Sequence, residues 1–522
     1  MNEPKPLLIL GLDVGDAELI SRWTSEGHLP AIASVMERGC WGTTGGPETI
    51  AEYGLSLSLF TGISRNKHGS YYQRQLKPGT YETVQIEPGD IDALPFWGQL
   101  KNHRVLTIDV PDTNPVLGLD GIQISNLATH HGATCPTQVE PQGSAKKVHQ
   151  LFGPKLEIHF NPSPNPELAI KNVRKLHQRL EKKGKLLSQL LEQERFDLVT
   201  AFFSETDAGS HYCWKYRPDA IGSDKSVDAP ELADGILRLY QAIDREMGKA
   251  MELMGHDANI MIISLYGMQD EYPISTLTES FCQQLGYHVL HQQKGTDDSG
   301  EPTASSSKKI KLDPISLARM VIPDSLRTAI SRHLPRSMQE KLLSSGLRDG
   351  TQWSATTAFA ISSISTGFIR VNLQGREPQG IVKPGTEYEE LLARIEADFA
   401  LLTDPKTGEP AIRRTARAVD LFGGGPPELL PDLFVEWEPG PRFLDRVKHP
   451  KAELIQPKPT HFFDSQEKLE GFFAAAGPDI QGRGDLGEVE VLDMAPTWLQ
   501  LLGVAPSADM KGKIIKNMVE RT

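Results

Sequence analysis

The chain has 522 residues, of which 39% are apolar and 24% are charged, a composition typical of a folded protein with a sizeable core. Its net charge of −13 argues against a nucleic-acid partner, because binding a polyanion needs a basic patch. No segment approaches the roughly 20 consecutive apolar residues that a membrane-spanning helix requires, so no membrane partner is expected.

The cysteines lie far apart and form no CxxC motif: Cys40, Cys135, Cys213 and Cys282. This spacing favours a reducing compartment and excludes a disulfide framework. The apolar run Leu7–Leu12 is too short for a signal segment and is followed by Asp13, so we interpret it as a first strand. We therefore expect a cytoplasmic protein.

Short β-like runs alternate with helical patterns along the chain. Strands are predicted at Leu7–Leu12, Val105–Asp109, Leu198–Phe203, Ile260–Ser264, Gly367–Asn372 and Asp432–Trp437. Helices are predicted at Asp16–Ser25, Pro166–Glu194, Glu231–Met254, Tyr388–Leu402 and Leu492–Leu502. The alternation predicts an α/β fold with a mostly parallel central sheet flanked by helices.

Two segments depart from this alternation. Residues 135–195 carry few strand signals and one long charged helix, which indicates a decoration at the edge of the sheet. Residues 291–349 combine a polar tract rich in Gly, Pro and Ser with a small helical insertion. We expect residues 1–290 and 350–522 to form one domain together.

Asp207 and His211 follow a predicted strand and lie four residues apart, so on a helical turn both side chains share one face. That spacing alone is weak evidence for a metal site, because surface acid–base pairs at i and i+4 are common. A second informative position is Leu265-Tyr266, which closes the strand Asn259–Ser264 before a turn at Gly267. Open α/β sheets place their chemistry at such strand ends.

A series of different motifs lies in a specific order along nearly the full length of the chain. They are Gly11-Leu-Asp13, Phe60-Thr-Gly62, Lys67-His-Gly69, residues 110–115, Glu205–His211, residues 375–382 and 404–410, Pro431-Asp-Leu433, Thr460-His461, Ala476-Gly-Pro478 and residues 491–497. In this order the chain resembles the alkaline phosphatase superfamily, most closely its predicted phosphohydrolase/phosphomutase branch, which is related to nucleotide pyrophosphatases/phosphodiesterases. The resemblance implies one α/β sandwich with a two-metal site at the carboxyl edge of its sheet.

The resemblance implies that Asp207, His211 and His461 hold one metal. The second metal of the family takes the Asp after the first strand, here Asp13, a Ser/Thr nucleophile and an adjacent Asp-His pair. That pair maps onto Leu265-Tyr266, which cannot ligate in the same way. The nucleophile position, nine residues before Thr61, holds Glu52, and Thr49 reaches it only through a slipped loop.

The resemblance therefore predicts a metal-dependent enzyme that keeps one metal site and has lost the usual nucleophile and second site. It would act on a phosphoryl ester or a diverged substrate as a hydrolase or transferase. Zinc is the first choice of metal, with iron or manganese as alternatives, because two imidazoles and a carboxylate suit all three. A conventional two-metal phosphodiesterase and a non-catalytic binding protein remain as alternatives.

Glu52, Asp13 and Tyr266 are the candidate catalytic residues. Glu52 and Asp13 without a metal between them would repel, which raises a carboxyl pKa and suits proton transfer. Tyr266 could donate to a substrate oxygen. In the competing interpretation, Glu52 supports a helix start and Tyr266 fills the volume of the lost site.

His130 and His131 are candidate substrate contacts. His68 lies near the nucleophile position and is interpreted as a loop hydrogen-bonding residue. The expected partner is a small anionic molecule. The sequence does not define an oligomeric state.

Overall fold

The computed structural model describes residues 4–86, 88–127, 136–154, 156, 158, 165–219, 229–272, 274, 276–291, 350–440, 442–458 and 462–519. Apart from position 291, the predicted linker and helical insertion (residues 291–349) therefore lie outside the described residues. Within the described ranges, no helix is long and apolar enough to cross a membrane.

The strands of the described residues are, in chain order, β1 (Leu7–Val14), β2 (Cys40–Gly45), β3 (Arg74–Leu76), β4 (Thr83–Gln85), β5 (Val105–Ile108), β6 (Gly121–Ser125), β7 (Gln138–Glu140), β8 (Leu198–Phe203), β9 (Asn259–Asp270), β10 (Ala358–Ile361), β11 (Gly367–Val371), β12 (Ile412–Arg417), β13 (Leu433–Trp437), β14 (Arg446–His449), β15 (Ala452–Ile455), β16 (Ser465–Lys468), β17 (Gly471–Ala476) and β18 (Gly484–Glu490).

The α-helices of the same residues are α1 (Ala17–Ser25), α2 (Pro30–Arg38), α3 (Leu55–Thr61), α4 (Arg65–His68), α5 (Ala145–Phe152), α6 (Pro166–Gln193), α7 (Glu205–Cys213), α8 (Pro230–Ala233), α9 (Gly235–Met254), α10 (Leu277–Gln284), α11 (Thr386–Ala400), α12 (Ala418–Phe422), α13 (Met494–Leu501) and α14 (Lys516–Val519). Short 3-10 turns lie at Pro47–Ile50, Pro88–Asp90, Phe96–Gln99, Gln142–Ser144, Trp214–Tyr216, Trp353–Ala355 and Val491–Asp493.

The large sheet has the order β18-β2-β17-β9-β1-β8-β5-β6-β7, with β16 added beside the end of β9. Its centre is parallel, since β1 pairs in parallel with both β8 and β9, and β5 with both β6 and β8. Every residue of β1 is buried, as expected for a strand covered by helices on both faces. The α/β fold with a mostly parallel sheet flanked by helices is confirmed.

Local sequence signals define the flanking helices. Asp16 caps α1 by accepting a hydrogen bond of 3.0 Å from the Leu19 amide, and Asn165 caps α6 through the Leu168 amide at 2.8 Å. Pro166 occupies the first turn of α6, where its missing N–H costs nothing. The helix predicted over Glu231–Met254 is two helices, because the chain leaves the helical conformation at Asp234.

A second sheet has the antiparallel order β10-β11-β13-β12 and its own buried core. The strands predicted at Gly367–Asn372 and Asp432–Trp437 are β11 and β13 of this sheet, so their expected place in the parallel sheet was wrong. Apolar periodicity identifies a buried strand but does not identify its pairing partner.

The strand β9 runs twelve residues, to Asp270, and does not end at Leu265-Tyr266. The turn predicted at Gly267 is wrong, because β16 pairs antiparallel with residues 267–270 and extends the strand. The pairing partner lies about two hundred residues later, where a local pattern carries no information about it. Cys40, Cys213 and Cys282 are buried free thiols, whereas Cys135 lies outside the described residues.

Candidate functional site

The carboxyl ends of three neighbouring strands bring the candidate residues together. Asp13 is the penultimate residue of β1, and Asp207 and His211 lie on α7, directly after β8. Glu467 lies on β16, where it pairs opposite Met268 of β9. The site therefore lies where open α/β sheets place their chemistry.

Buried ionic contacts fix the start of α7. The Lys183 ammonium lies 3.1 Å from Asp109 and 3.3 Å from Glu205, and Arg179 donates to Glu205 at 2.9 Å. The Thr206 hydroxyl accepts a hydrogen bond of 3.1 Å from the Val14 amide and so ties α7 to β1. Removing one partner of such a buried network leaves an uncompensated charge, so these contacts hold α7 in place.

Asp207, His211 and Glu467 offer three ligand atoms that all lie within 4.8 Å of one another. The His211 Nε2 atom lies 3.2 Å from Glu467 Oε1 and 3.4 Å from Asp207 Oδ1. The other ring nitrogen lies 3.3 Å from the Ser465 hydroxyl, which orients the imidazole. Two carboxylates and one imidazole are a donor set that fits a divalent cation.

The electrostatics of this cluster follow from burial and mutual repulsion. Burial and the Glu467 carboxylate raise the pKa of Asp207 to about 7, against the opposing effect of His211. Burial alone would lower the pKa of His211, but its hydrogen bond to Glu467 and the charge of that carboxylate raise it. The pKa of Glu467 is lowered by His211 despite the burial of the carboxyl group.

Two further carboxyl groups face the same cluster. Burial and the nearby Asp207, Asp112 and Glu467 carboxylates raise the pKa of Asp13 well above its ordinary value. Burial raises the pKa of Glu52 in the same direction, and the charges of Glu467 and Asp207 add to the shift. Both groups are thereby able to hold a proton at a pH where an exposed carboxyl is ionised.

Tyr266 contacts the candidate nucleophile position directly. Its hydroxyl donates a hydrogen bond of 2.9 Å to the main-chain carbonyl of Glu52, and its ring is 8% exposed. The hydroxyl of Tyr266 therefore donates its hydrogen to the protein main chain in this structure. The predicted donation to a substrate oxygen remains a prediction.

The loop that carries Glu52 is held by a buried arginine. The Arg65 guanidinium donates to the carbonyls of Glu48 at 2.7 Å, Ala51 at 2.8 Å and Ser70 at 2.7 Å, and also to the carbonyl of Tyr53. The Glu48 carboxylate accepts from the Arg65 amide at 3.0 Å. These contacts fix the backbone on both sides of Glu52.

Thr49 precedes this loop. Its hydroxyl donates to the Gly46 carbonyl at 2.8 Å. Thr49 and Glu52 both line one cavity of the protein.

His68 is a hydrogen-bonding residue beneath the loop. Its Nδ1 accepts from the Ser70 amide at 3.1 Å, which leaves Nε2 to donate to the Ser58 hydroxyl at 2.9 Å. Ser58 in turn donates to Glu48 at 2.6 Å. Burial and Arg65 lower the pKa of His68 to about 3, so the imidazole is neutral.

Two residues of the cluster were missed by the sequence interpretation. Glu467 is placed by the pairing of β16 with β9, which no local pattern reveals. Asp112 accepts a hydrogen bond from the Ser56 hydroxyl and lies in the motif at residues 110–115, which could have suggested it. The predicted residues His130, His131 and His461 lie outside the described residues.

A cavity of about 260 Å³ opens beside the cluster and is lined by both Glu52 and Glu467. Its far wall comes from the second sheet, through Arg413, Arg414 and Trp437. A regular strand would point consecutive side chains to opposite faces, but the pairing of β12 with β13 shifts register between Ile412 and Arg414. This irregularity allows both arginines to face the cavity.

Comparisons with known proteins identify the family of the chain. The model of the type I phosphodiesterase / nucleotide pyrophosphatase family matches residues 7–309, more than half of the chain. No curated protein matches the chain.

Solved structures with a similar fold include phosphonoacetate hydrolase from Sinorhizobium meliloti 1021. Its complex with phosphonoacetate has a TM-score of 0.51, with 13% identity and coverage of 96% of each chain. Its complex with phosphonoformate has a TM-score of 0.50, with the same identity and coverage. Human ectonucleotide pyrophosphatase / phosphodiesterase 5 matches with a TM-score of 0.47 and 11% identity, covering 99% of this chain and 100% of that chain.

Proposed function

Because the chain belongs to the type I phosphodiesterase / nucleotide pyrophosphatase family and is a hydrolase by that membership, we propose that it hydrolyses a phosphoryl ester in a small anionic substrate with one bound metal ion. The observation that carries the proposal is the convergence of Asp207, His211 and Glu467 within 4.8 Å.

Asp207, His211 and Glu467 would hold the metal, with His461 as the ligand implied by the resemblance. A bound divalent ion would polarise a phosphoryl oxygen as a Lewis acid. Zinc suits this nitrogen and oxygen donor set, as do iron and manganese.

Glu52 would act as the general base at the position where relatives of this superfamily carry a hydroxyl nucleophile. In this proposal its carboxylate accepts the proton of the attacking water and the water oxygen bonds to phosphorus. The ester P–O bond breaks, and the ester oxygen leaves with the bonding electrons and takes up a proton from solvent. The raised pKa of Glu52 favours this role, since a general base works best with a pKa near the working pH. The Asp13 carboxyl group, whose pKa is also raised, would hold a proton in the same cluster.

The main competing function is that of a conventional two-metal phosphodiesterase with Thr49 as the nucleophile. The position of Thr49 in the lining of the cavity of about 260 Å³ supports it. Leu265 and Tyr266 argue against it, because neither offers the carboxylate and imidazole that the second metal would need. A binding protein without catalysis is the remaining alternative.

Metal analysis of the purified protein tests the proposal. We expect about one tightly bound metal per chain, lost in Glu467→Gln and retained in the control Glu470→Gln, whose carboxylate pairs with Lys468 at 3.0 Å. His461→Ala would show whether that residue is a further ligand. Two metals per chain would favour the two-metal enzyme, and none in the wild type would favour the binding protein.

A further inference from the structure

A second cavity of about 240 Å³ lies next to the first. Glu271 and Trp437 line both cavities, so these two side chains form their common wall. The first cavity in turn shares Glu52 and Glu467 with the candidate site. The two cavities therefore lead away from the candidate site in series.

The two cavities differ in chemistry. Polar and charged side chains dominate the first, including Thr44, Gln269 and Arg413. In the second cavity the three most buried members are apolar: Ile274, Ala411 and Trp437 are 4%, 3% and 5% exposed.

The charged members of the second cavity are the exposed Glu409 and Glu438, the ion pair of Arg442 with Asp404, and Glu271 at the wall shared with the first cavity. An apolar floor with a charged rim is the ordinary construction of a site for an apolar group.

We propose that the second cavity binds an apolar ester group of the substrate, so that the preferred substrates are phosphodiesters with an alkyl substituent. This rests on the proposed function. A charged substituent would lose its hydration against Ile274 and Ala411, whereas an alkyl chain gains from leaving water there. The phosphoryl group of the substrate would lie at the candidate site. Its alkyl group would pass Trp437 to reach the second cavity.

Gly440 provides a way to fill the second cavity. It lines that cavity, its backbone is outside the left-handed region, and a Cβ atom added there meets nothing within 4 Å. A Gly440→Trp substitution can therefore place a ring in the cavity without backbone strain. Gly425 has the same two properties and lines neither cavity, so Gly425→Trp is the matched control.

The test compares hydrolysis of 4-nitrophenyl methyl phosphate with that of 4-nitrophenyl octyl phosphate below its micelle concentration. We expect kcat/KM of the wild type to be at least about tenfold higher for the octyl ester, because a few buried methylenes suffice for that factor. Gly440→Trp should remove the advantage and keep the methyl ester within about twofold. Gly425→Trp should change neither rate.

Equal kcat/KM for the two esters, or an octyl advantage that survives in Gly440→Trp, would overturn the proposal. So would a loss in Gly440→Trp confined to the 4-nitrophenyl ester of thymidine 5′-phosphate, which would assign the cavity to a nucleoside. If neither ester is hydrolysed, the proposed function fails separately. Calorimetry then tests the cavity alone, since octylphosphonate should bind the wild type more tightly than methylphosphonate and should lose that margin in Gly440→Trp.

Discussion

The phenolic hydroxyl of Tyr266 holds the main-chain carbonyl of Glu52 at 2.9 Å. Arg65 holds the carbonyls on either side, those of Ala51 and Tyr53. Three consecutive carbonyls are therefore fixed by two buried side chains. Tyr266 and Arg65 together therefore orient the main chain at Glu52, the candidate catalytic residue.

Tyr266→Phe should separate the positioning of Glu52 from the packing of the ring. We expect a loss of about 1 kcal/mol in the free energy of unfolding, since a buried carbonyl loses its donor, and a fall in kcat with little change in KM. Urea unfolding and steady-state hydrolysis of an aryl phosphodiester measure the two effects.

The control is Tyr81→Phe, which removes a buried hydroxyl that donates to Asn372 at 2.7 Å away from the candidate site. It should cost at least as much stability, because the same hydroxyl also accepts from the Gln379 amide at 3.1 Å, and it should leave kcat unchanged. Equal kcat values in the two variants would show that the Tyr266 hydroxyl does not position Glu52.

Glu52→Gln should abolish the pH-dependent rise in hydrolysis. A general base must be deprotonated to act, so the rate of the wild type should increase with pH through the pKa of Glu52. Burial and neighbouring carboxylates place that pKa well above the ordinary value for glutamate. The measurement is kcat/KM from pH 4 to 9, with Thr49→Ala as the comparison. A rate that depends on Thr49 and persists in Glu52→Gln would support the two-metal alternative.

Glu271→Gln should change how the stability of the protein depends on pH. Burial raises the pKa of Glu271 to about 7, from 4.5 in the unfolded chain, although Gln269 donates to its carboxylate at 2.8 Å. The folded state therefore binds this proton more tightly, and the stability from it is lost as pH rises from 4.5 to 7.

As pH rises from 4.5 to 7, the free energy of unfolding of the variant should increase by about 2–3 kcal/mol relative to that of the wild type. Urea unfolding at each pH measures this difference. The control is Glu409→Gln, since that exposed residue lines the same cavity. A difference between variant and wild type that does not change with pH would contradict the expectation.

Features that depend on local periodicity could be predicted from the sequence. The spacing of Asp207 and His211 places both on one face of α7, and the apolar run after Pro6 is the central strand β1. The resemblance to the superfamily and the fold that it implied are confirmed by the family match.

Contacts that depend on long-range pairing were not accessible in the same way. Glu467 joins the cluster only because β16 pairs with the end of β9, and β11 and β13 belong to a separate sheet for the same kind of reason. The assignments of metal ligands and catalytic residues remain predictions.

The length of β9 has a mechanical consequence. The strand pairs with β1 between Asn259 and Tyr266 and with β16 along its last four residues. One rigid element therefore sets the position of Tyr266 against Glu52, the position of Glu467 beside His211 and the approach to Glu271. A slip of one residue in this strand would turn every side chain to the opposite face, so reaction chemistry and choice of substrate would be lost together.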